Sequence, residues 1–521
     1  QDLFGQTQGA FVFNGSYTGH EFADFLLGDA FQYTELKNQY EPNYITHSGN
    51  LYVGDNWKVS PRLTVTAGLA WDAFPHAFEE KDRVASFYRK LWDPAQAPKV
   101  DINGRIIPGS GNLTDGLGLA GQNGISRGLV DNHWALLQPR VGVAWRPFGE
   151  NTVLRAGYGL YYERIQGNDI YNIAPNPPFA NVSTIFNTQL SNPGGGGNVI
   201  LPPNLVVYDP SYPVPQVQQW NAGIQHRIVR GVVANVAYVG TKGTYLSDTI
   251  NINQPYPSGA AQVLAKTANV NQVRPYSGYA NINMYFNGTN SSYNSLQASV
   301  RTEQYRGLTL QASYTWSHSL DYASGDVPGN SAQNAYAWGL EHADSNFDRR
   351  QMLILSYVYD IPLAPAAKPL KVLLGNWQLS GISSFESGVP LNITLPGDNA
   401  GIGGGPYRPD LVSDPMSGAR TRVTWFNPNA YVRPAPGAFG NAARNSARQA
   451  GLNNTDFSLF KSFPGVFKRE RSGIQFRAEF YNVFNHPQWN AYRTSFGTAG
   501  FGSATGARDA RDIQLGLRAY F

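Results

Sequence analysis

The chain contains no cysteine at all. This absence excludes disulfides, thiolate metal sites and cysteine nucleophiles, and it is compatible with an exported protein. Long apolar runs are missing too, since none approaches the roughly 18 residues that a membrane-spanning helix needs. The longest candidate, Met352 to Tyr359, has the length of a strand and contains Ser356. A membrane protein of this composition therefore has to be a β-barrel.

Strong charge of either sign is also absent. The 40 Lys and Arg nearly balance the 36 Asp and Glu, which gives a formal net charge of +4. No basic run indicates nucleic-acid binding, and no acidic tail is present. The sequence therefore predicts no nucleic-acid partner.

Turn-forming and aromatic residues are plentiful. The 521 residues include 55 Gly, 34 Pro, 30 Tyr and 11 Trp. Gly and Pro at this frequency indicate many turns and few long helices. Tyr and Trp favour membrane interfaces, because one end of the ring is apolar and the other is wet.

The last eleven residues form the clearest single element. From Arg511 to Phe521, apolar residues alternate with polar ones and the chain stops on an aromatic ring. Such alternation predicts a strand with one apolar and one polar face. The final strand of a bacterial outer-membrane barrel has this form, with its apolar face toward lipid. We interpret three residues as the membrane-assembly signal: Leu517, Ala519 and Phe521.

Many other segments alternate in the same way, and Arg62 to Asp72 is the most regular. Its apolar face carries Leu63, Leu69 and Trp71, whereas the opposite face is small and polar, which suits a wet lumen. A half-exposed strand of a soluble sheet is the alternative for this element alone. The other predicted strands are Gly9 to Asn14, Phe31 to Asn38, Tyr44 to Lys58, Pro139 to Arg146, Thr152 to Glu163, Val217 to Ile228, Val232 to Gly240, Tyr293 to Glu303, Leu308 to His318, Met352 to Tyr359, Trp377 to Thr394, Asp456 to Lys461 and Gly473 to Asn485.

The predicted connections alternate between short and long, which is the layout of short periplasmic turns and long extracellular loops. The short connection at Gln39 to Asn43 is the exception, because the alternation places it outside. The short turns lie near Ser60, Phe148, Arg230, Arg306 and Pro464, and the longest loops are Ala73 to Leu136, Gln166 to Pro215 and Pro396 to Asn453.

These patterns predict an all-β, transmembrane antiparallel β-barrel of about 14 or 15 strands. We expect residues 1–521 to form a single barrel domain that is incomplete at its N-terminus, because a closed bacterial barrel needs an even number of strands. No signal peptide precedes Gln1, so either a targeting segment has been removed or the chain begins inside a longer protein. The predicted location is the bacterial outer membrane, which the chain crosses many times.

In this order, six motifs resemble the barrel of Oar-like TonB-dependent receptors, and the resemblance runs from about Phe22 to Phe521. The motifs are Asp55 to Thr64, Arg155 to Tyr162, Gln219 to Gln225, Tyr238 to Gly243, Asn346 to Arg350 and Phe476 to Pro487.

This resemblance implies a 22-stranded barrel of which the chain is the C-terminal part. It also implies a carboxypeptidase-regulatory-like domain, a TonB box and a plug domain, none of which is visible in the sequence. The implied function is a receptor or transporter that binds a large extracellular ligand, such as a peptide, protein or glycan, with its loops and imports or exports it through the lumen. The implied partners are outer-membrane lipid, the plug and TonB system, and the barrel-assembly machinery.

Charged and amide side chains on the polar faces of the predicted strands are the candidate lumen residues. We expect them either to contact a plug or substrate, or to form a solvated wall with neighbouring charges paired across strands. They are Arg155, Glu163, Arg301, Gln311, Arg477, Glu479, Gln514 and Arg518.

Residue types that could support other chemistry are present but poorly arranged. Ser317 and His318 point to opposite faces of a strand and so cannot form a nucleophile–base pair by themselves. The Gly401 to Gly405 run lacks a following Lys-Ser or Lys-Thr, so a phosphate loop is disfavoured. We predict no catalytic, cofactor-binding or metal site.

Two groups of loop residues have alternative interpretations. A cluster of acidic residues and one histidine could bind a divalent cation, but its spacing fits no EF-hand and a solvated loop is favoured. Loop aromatic rings could grip a ligand or simply pack within their loops. The first group is Glu341, His342, Asp344 and Asp348, and the second is Trp134, Tyr212 and Trp338.

Two alternatives to the receptor hypothesis remain open at this level. A passive porin-like channel would have no plug. An outer-membrane enzyme would need a catalytic constellation at the barrel rim, and the sequence offers none that is convincing.

Overall fold

The computed structural model describes residues 8–37, 40–165, 167–325, 332–363, 365–405, 407–465 and 472–521. Its main feature is a meander of thirteen strands. The strands are β1 (Gly49–Ser60), β2 (Leu63–Phe74), β3 (His133–Trp145), β4 (Thr152–Tyr162), β5 (Gln216–Val229), β6 (Val232–Asn251), β7 (Ile282–Tyr305), β8 (Leu308–Asp321), β9 (Gln351–Asp360), β10 (Trp377–Glu386), β11 (Leu452–Pro464), β12 (Gly473–Tyr481) and β13 (Asp512–Tyr520).

Each strand of the meander pairs antiparallel with the one before it and the one after it. Two short strands, Leu205–Tyr208 on β7 and Ala343–Asp344 on β8, bring the sheet to fifteen strands. This confirms the prediction of a large antiparallel sheet. Among the described residues, β1 pairs only with β2, and β13 pairs only with β12.

One face of the sheet is apolar from strand to strand. Because side chains alternate across a strand, residues that pair in register share a face. One row, read from β2 to β8, is Val65, Val143, Ala156, Ala222, Tyr238, Leu296 and Trp316. Another row, read from β8 to β13, is Leu308, Tyr359, Leu379, Leu459, Ala478 and Leu515.

This apolar face is not packed into a protein core. Leu69 is 43% exposed, Trp316 is 58% exposed and Leu517 is 74% exposed. The five buried hydrophobic clusters lie instead in the segments outside the meander and at the outer ends of β6 and β7. A sheet whose apolar face packs against no core formed by the described residues is suited to a lipid environment.

The connections alternate in length, as the sequence predicts. The described parts of connections 61–62, 146–151, 230–231, 306–307, 361–376 and 465–472 lie at one end of the meander. The described parts of connections 75–132, 163–215, 252–281, 322–350, 387–451 and 482–511 lie at the other. At the β7–β8 turn both central residues have positive φ, 52° at Arg306 and 84° at Gly307. This conformation matches the twist of the flanking strands in a tight hairpin.

The first two predicted strands belong to a different sheet. Ala10–Val12 and Asp29–Leu36 form a separate four-stranded sheet with Val182–Gln189 and Gly197–Val199. The sequence cannot reveal this assignment, because it depends on pairing with a distant loop. The short connection at Gln39 to Asn43, of which Gln39 lies outside the described residues, therefore joins the small sheet to the meander. It does not connect two meander strands, so it is no exception to the alternation of short and long connections.

Strands β6 and β7 extend well beyond their predicted limits at Gly240 and Tyr293. The extension carries a bulge, where the register shifts on either side of Leu246. A bulge interrupts the two-residue period, so the apolar alternation that marks a strand is lost there.

Other elements are short and lie outside the meander. None of the helices in the described ranges is long and apolar enough to cross a membrane. The helices are α1 (Glu21–Leu27), α2 (Gly167–Tyr171), α3 (Pro257–Leu264) and α4 (Lys368–Leu374). Single turns of 3-10 helix are Arg89–Leu91, Pro193–Gly195, Val270–Gln272, Trp338–Glu341 and Pro428–Ala430. Two-stranded pairs are Tyr44–Ile45 with Phe78–Glu79, Ala85–Phe87 with Leu117–Leu119, Pro390–Leu391 with Ala447–Arg448, Asp410–Leu411 with Tyr431–Val432, and Trp489–Tyr492 with Ala504–Ala507.

Candidate binding face and loop layer

Seven of the eight candidate lumen residues lie within meander strands and share the face opposite the apolar one. Arg301 pairs directly with Gln311, and Glu479 pairs directly with Gln514. Glu163 lies just beyond the end of β4. The seven residues are Arg155, Arg301, Gln311, Arg477, Glu479, Gln514 and Arg518.

Several of these side chains have polar partners on the same face. Arg155 Nη1 donates to Gln225 Oε1 at 2.5 Å. Arg477 Nε donates to Gln475 Oε1 at 2.8 Å. Arg301 pairs with Glu303 at 3.0 Å, and both side chains are 69% exposed. An exposed pair of this kind contributes at most about 1 kcal/mol, so the face has the character of a solvated wall.

A few positions on this otherwise polar face carry apolar side chains. Val358 on β9 and Ile382 on β10 lie on it, with exposed fractions of 39% and 53%. Ile354 lies on the same face of β9. The sequence indicates this feature only indirectly, because the run from Met352 to Tyr359 is apolar at nearly every position.

The long connections form a second layer with its own buried ion pairs. Arg408 holds Glu341 through two hydrogen bonds, Nη1 to Oε2 at 2.7 Å and Nη2 to Oε1 at 2.8 Å. Both side chains are almost fully buried. Gln333 completes the contact with two hydrogen bonds of 3.2 Å. Its side-chain Oε1 accepts from the Arg408 backbone N–H, and its backbone N–H donates to Glu341 Oε1. Connection 322–350 is thereby joined to connection 387–451.

Two further arginines of connection 387–451 strengthen this joint. Arg444 pairs with Asp321 at the end of β8 and donates to the Asp321 carbonyl at 2.9 Å. Arg448 pairs with both Asp344 and Asp348. Arg444 therefore neutralises the acid at the end of β8, and Arg448 neutralises two acids of connection 322–350, as buried charges require.

The acidic segment from Glu341 to Asp348 in connection 322–350 is not a solvated loop at either end, so that interpretation was wrong for Glu341 and Asp348. Glu341 is 2% exposed and Asp348 is 1% exposed. His342 lies against the Tyr322 ring, with centroids 5.0 Å apart. The sequence could not show this, because the arginines that bury these acids lie far along the chain.

Three side chains at this segment and on β8 lie close enough together to bind a metal ion, but their carboxylates already bind arginine. Ligand atoms of His318, Asp344 and Asp348 lie within 4.8 Å of one another. Arg350 Nε, however, donates to Asp348 Oδ2 at 2.8 Å, and Arg350 also pairs with Asp344 at 3.1 Å. Burial alone would raise the pKa of Asp344. Hydrogen bonds from His318 and Arg350, with the charges of Arg350 and Arg448, outweigh burial and lower that pKa.

The hydroxyl groups beside His318 are engaged elsewhere. Ser317 Oγ donates to the Arg349 carbonyl at 2.8 Å. Ser319 Oγ lies 2.9 Å from Ser345 Oγ, and His318 Nε2 lies 2.9 Å from Asp344 Oδ1. In the described part of the chain, neither serine forms a nucleophile–base pair with His318.

The glycine-rich segment Gly401 to Gly405 is folded around a carboxylate. The Ile402 amide donates to Asp398 Oδ1 at 3.0 Å, and the Gly403 amide donates to Asp398 Oδ2 at 2.8 Å. Tyr407 Oη also donates to Asp398 Oδ1, at 2.5 Å. These amides are already occupied by Asp398 and do not form a free phosphate cradle.

The three loop aromatics have different surroundings. Trp134 lies in β3 and is 56% exposed, whereas Tyr212 is buried. Trp338 packs against Phe286 and Tyr322, with ring centroids 5.1 and 5.5 Å apart. Trp134 therefore presents a free ring surface, while the other two pack within the loop layer.

Two of the residues interpreted as an assembly signal, Leu517 and Ala519, lie on the apolar face of β13, and Phe521 follows directly after its last residue. Leu517 pairs with Phe476, and Ala519 pairs with Ile474. Phe521 is 87% exposed.

A broad antiparallel meander with an unburied apolar face, a polar face and long connections at one end defines a β-barrel protein of the outer-membrane class. Residues 1–514 match a family described as the outer membrane beta barrel domain. The chain belongs to this family, and its location is the bacterial outer membrane.

The fold also resembles solved structures at low identity. They include the outer membrane transporter YddB from Escherichia coli, at 11% identity and a TM-score of 0.44, covering 93% of this chain and 54% of that one. Pyoverdine-bound FpvA of P. aeruginosa is 10% identical, with a TM-score of 0.42 and coverage of 94% and 39%. The siderophore receptor PiuA from Acinetobacter baumannii is 10% identical, with a TM-score of 0.42 and coverage of 94% and 44%.

The chain thus spans about half the length of these structures or less. Comparison with curated proteins gives no match.

Proposed function

We propose that the chain is the barrel part of an outer-membrane receptor that captures a large extracellular ligand with its loops and passes it through its lumen. The observation that carries this proposal is the loop layer. Arg408, Arg444 and Arg448 join two long connections through charges that are buried or partly buried. A passive pore needs no such joint, whereas a receptor gains affinity when its binding surface is organised before the ligand arrives.

A finer assignment, to the C-terminal part of an Oar-like TonB-dependent receptor, rests on the motif resemblance. It is supported by the two outer strands of the meander. A backbone edge exposed to lipid costs several kcal/mol for each unmet polar group, and in the proposed receptor β1 and β13 would each pair with a further strand of the barrel. The barrel-assembly machinery and outer-membrane lipid are the partners that this assignment implies for insertion.

A plug domain and the TonB system are the other partners of the proposed receptor. The apolar patch of Ile354, Val358 and Ile382 within the polar face supports an internal plug, because an exposed apolar patch in a wet lumen favours a packed partner. The seven polar-face residues, together with Glu163, would then line the space between wall and plug.

The test is energised uptake by cells that express the complete coding sequence. Dye-labelled pools of oligopeptides, proteins and oligosaccharides are offered to cells with and without TonB. The proposal predicts surface binding in both strains and internalisation of one pool only where TonB is present. Equal uptake of small solutes in both strains, with no surface binding, would instead indicate a passive channel. Recovery of a chemically altered ligand outside the cell would indicate an enzyme.

A further inference from the structure

A buried carboxylate oxygen without a hydrogen-bond partner lies in α2. Asp169 is 4% exposed, and its Oδ1 is buried without a hydrogen-bond partner. Within the described ranges, no residue forms an ion pair with this side chain, although the Asp169 backbone carbonyl accepts from Tyr208 Oη at 2.6 Å. An unpaired buried charge costs free energy, so the protein gains nothing in stability from a carboxylate at this position.

This carboxylate borders a cavity of about 270 Å³. The walls come from five consecutive strands or their ends, β4 to β8, so the cavity lies at the loop end of the meander. Glu163 and Arg164 line it from the end of β4, Ser247 from the bulged part of β6, and Tyr322 from beyond β8. The volume is far larger than one water molecule needs and suits a small organic group.

Two other acids line the cavity wall. Glu163 is exposed to solvent, and Asp321 is already neutralised. Asp321 pairs with Arg444 through Oδ1, and its Oδ2 accepts from Ser324 Oγ at 2.7 Å. Nearby Lys242 donates to Asn290 Oδ1 at 2.9 Å and not to Asp169. Asp169 is thus the buried charge of this cavity that the described residues leave uncompensated.

From this arrangement we propose that the cavity binds a cationic nitrogen group, a primary ammonium or a guanidinium, carried by the extracellular ligand. Asp169 accepts the hydrogen bonds of the cation, and the Tyr322 side chain lines the same cavity. This proposal deepens the proposed receptor function and rests on it, because it names the chemistry that one subsite recognises.

The pH dependence of binding follows from the state of Asp169. Burial raises the pKa of this carboxyl to about 6. Below that pH the neutral acid no longer attracts a cation, so binding weakens on acidification. The titratable groups that line the cavity or lie close to Asp169 are Glu163, Arg164, Tyr208, Tyr212, Tyr285, Asp321 and Tyr322. Two further charged groups bind cavity-lining residues, Lys242 at Asn290 and Arg444 at Asp321.

The test measures binding of butylammonium to the purified full-length protein at pH 8 by ligand-observed NMR, with neutral butanol as the size-matched probe. We expect Asp169→Asn to weaken butylammonium binding about tenfold or more, the loss typical of one charge-assisted contact. Asp131→Asn, the same change at an exposed loop carboxylate, should alter it less than twofold. Wild-type binding should fall as the pH drops below about 6, and the Asp169→Asn protein should lack this step.

Equal binding of butanol and butylammonium, or an unchanged affinity in Asp169→Asn, would overturn the proposal. The variant should fold, because an amide replaces an unpaired buried charge, and heat-modifiability on a gel confirms this. Since the assay uses purified protein without TonB, a failure of cation binding is separable from a failure of uptake.

Discussion

At the scale of single residues, the Arg408–Glu341 pair is the strongest test of the loop layer. Arg408→Met should lower the local free energy of opening by about 3–5 kcal/mol, because it leaves the buried Glu341 charge without a partner. The double variant Glu341→Leu, Arg408→Met should recover most of that loss, because no unpaired charge remains. Native-state hydrogen exchange of residues 332–350 measures both effects.

Equal protection in Arg408→Met and in the wild type would show that this pair does not join the two connections. The exposed pair Arg301 and Glu303 is the matched control. Arg301→Met should change the local free energy of opening, measured by the same exchange, by less than about 1 kcal/mol.

His76 provides a pH-dependent test of the same layer. Burial lowers its pKa to about 4, and its ring lies against Tyr208 and Tyr212. The unfolded chain therefore binds the proton more readily than the folded one, and stability that is present above about pH 6.5 is lost as the pH falls toward 4. The expected loss is about 3 kcal/mol.

Hydrogen exchange of residues 75–90, corrected for intrinsic rates, should show this loss between pH 6.5 and pH 4. The variant His76→Asn should not show it, whereas His47→Asn, at an exposed histidine, should behave like the wild type. A flat pH profile in the wild type would contradict the burial of a neutral His76.

Sequence patterns reveal which residues face polar surroundings on a strand, but not which residues meet between loops. Arg155 and Gln514 are placed on the polar face by alternation alone. The pairing of Glu341 with Arg408 depends on how two long connections pack, and no local spacing encodes it. The same limit hides Asp169, which borders a cavity that β6, β7 and β8 also line.

At the scale of elements, the terminal strand β13 can be tested through Phe521. Phe521→Asp should reduce the yield of assembled barrel, because a carboxylate replaces an aromatic ring on the face that we assign to lipid. Phe484→Asp is the matched control, since Phe484 is 64% exposed in connection 482–511. Membrane fractionation and heat-modifiability on a gel measure the yield.

A Phe521→Asp protein that reaches the outer membrane at normal yield would remove the assembly role assigned to Leu517, Ala519 and Phe521. A soluble, folded Phe521→Ala protein would contradict the membrane assignment of this strand altogether.

Regular strands could be predicted because apolar and polar residues alternate along their whole length. Strands with a bulge could be predicted only up to the bulge. The segment Arg62 to Asp72 is found almost unchanged as β2. The outer parts of β6 and β7 were missed, because the bulge at Leu246 ends the alternation. Asp29–Leu36 has the pattern of a barrel strand, yet it pairs with Val182–Gln189 in the small sheet. Alternation thus predicts a strand but not its neighbour.

At the scale of the whole molecule, the two ends of the meander should differ in their exposure at the cell surface. Trypsin added to intact cells should cut within connections 75–132, 163–215 and 387–451, and it should spare Arg62, Arg230 and Arg306. The tight turns would then lie on the periplasmic side. Cleavage at those three arginines from outside would reverse the assigned orientation.

The central claim is that the apolar face of the meander meets lipid and the polar face meets water. The absence of cysteine gives a clean background for single-cysteine variants at neighbouring positions on one strand. In liposomes containing the purified protein, Gln311→Cys and Arg477→Cys should react with a charged, water-soluble maleimide. Fluorophores attached at Ala312→Cys and Ala478→Cys should be quenched by spin-labelled lipid. Equal maleimide reactivity of the cysteines at 311 and 477 and of those at 312 and 478 would contradict this claim. Quenching by spin-labelled lipid at 311 and 477 would contradict it as well.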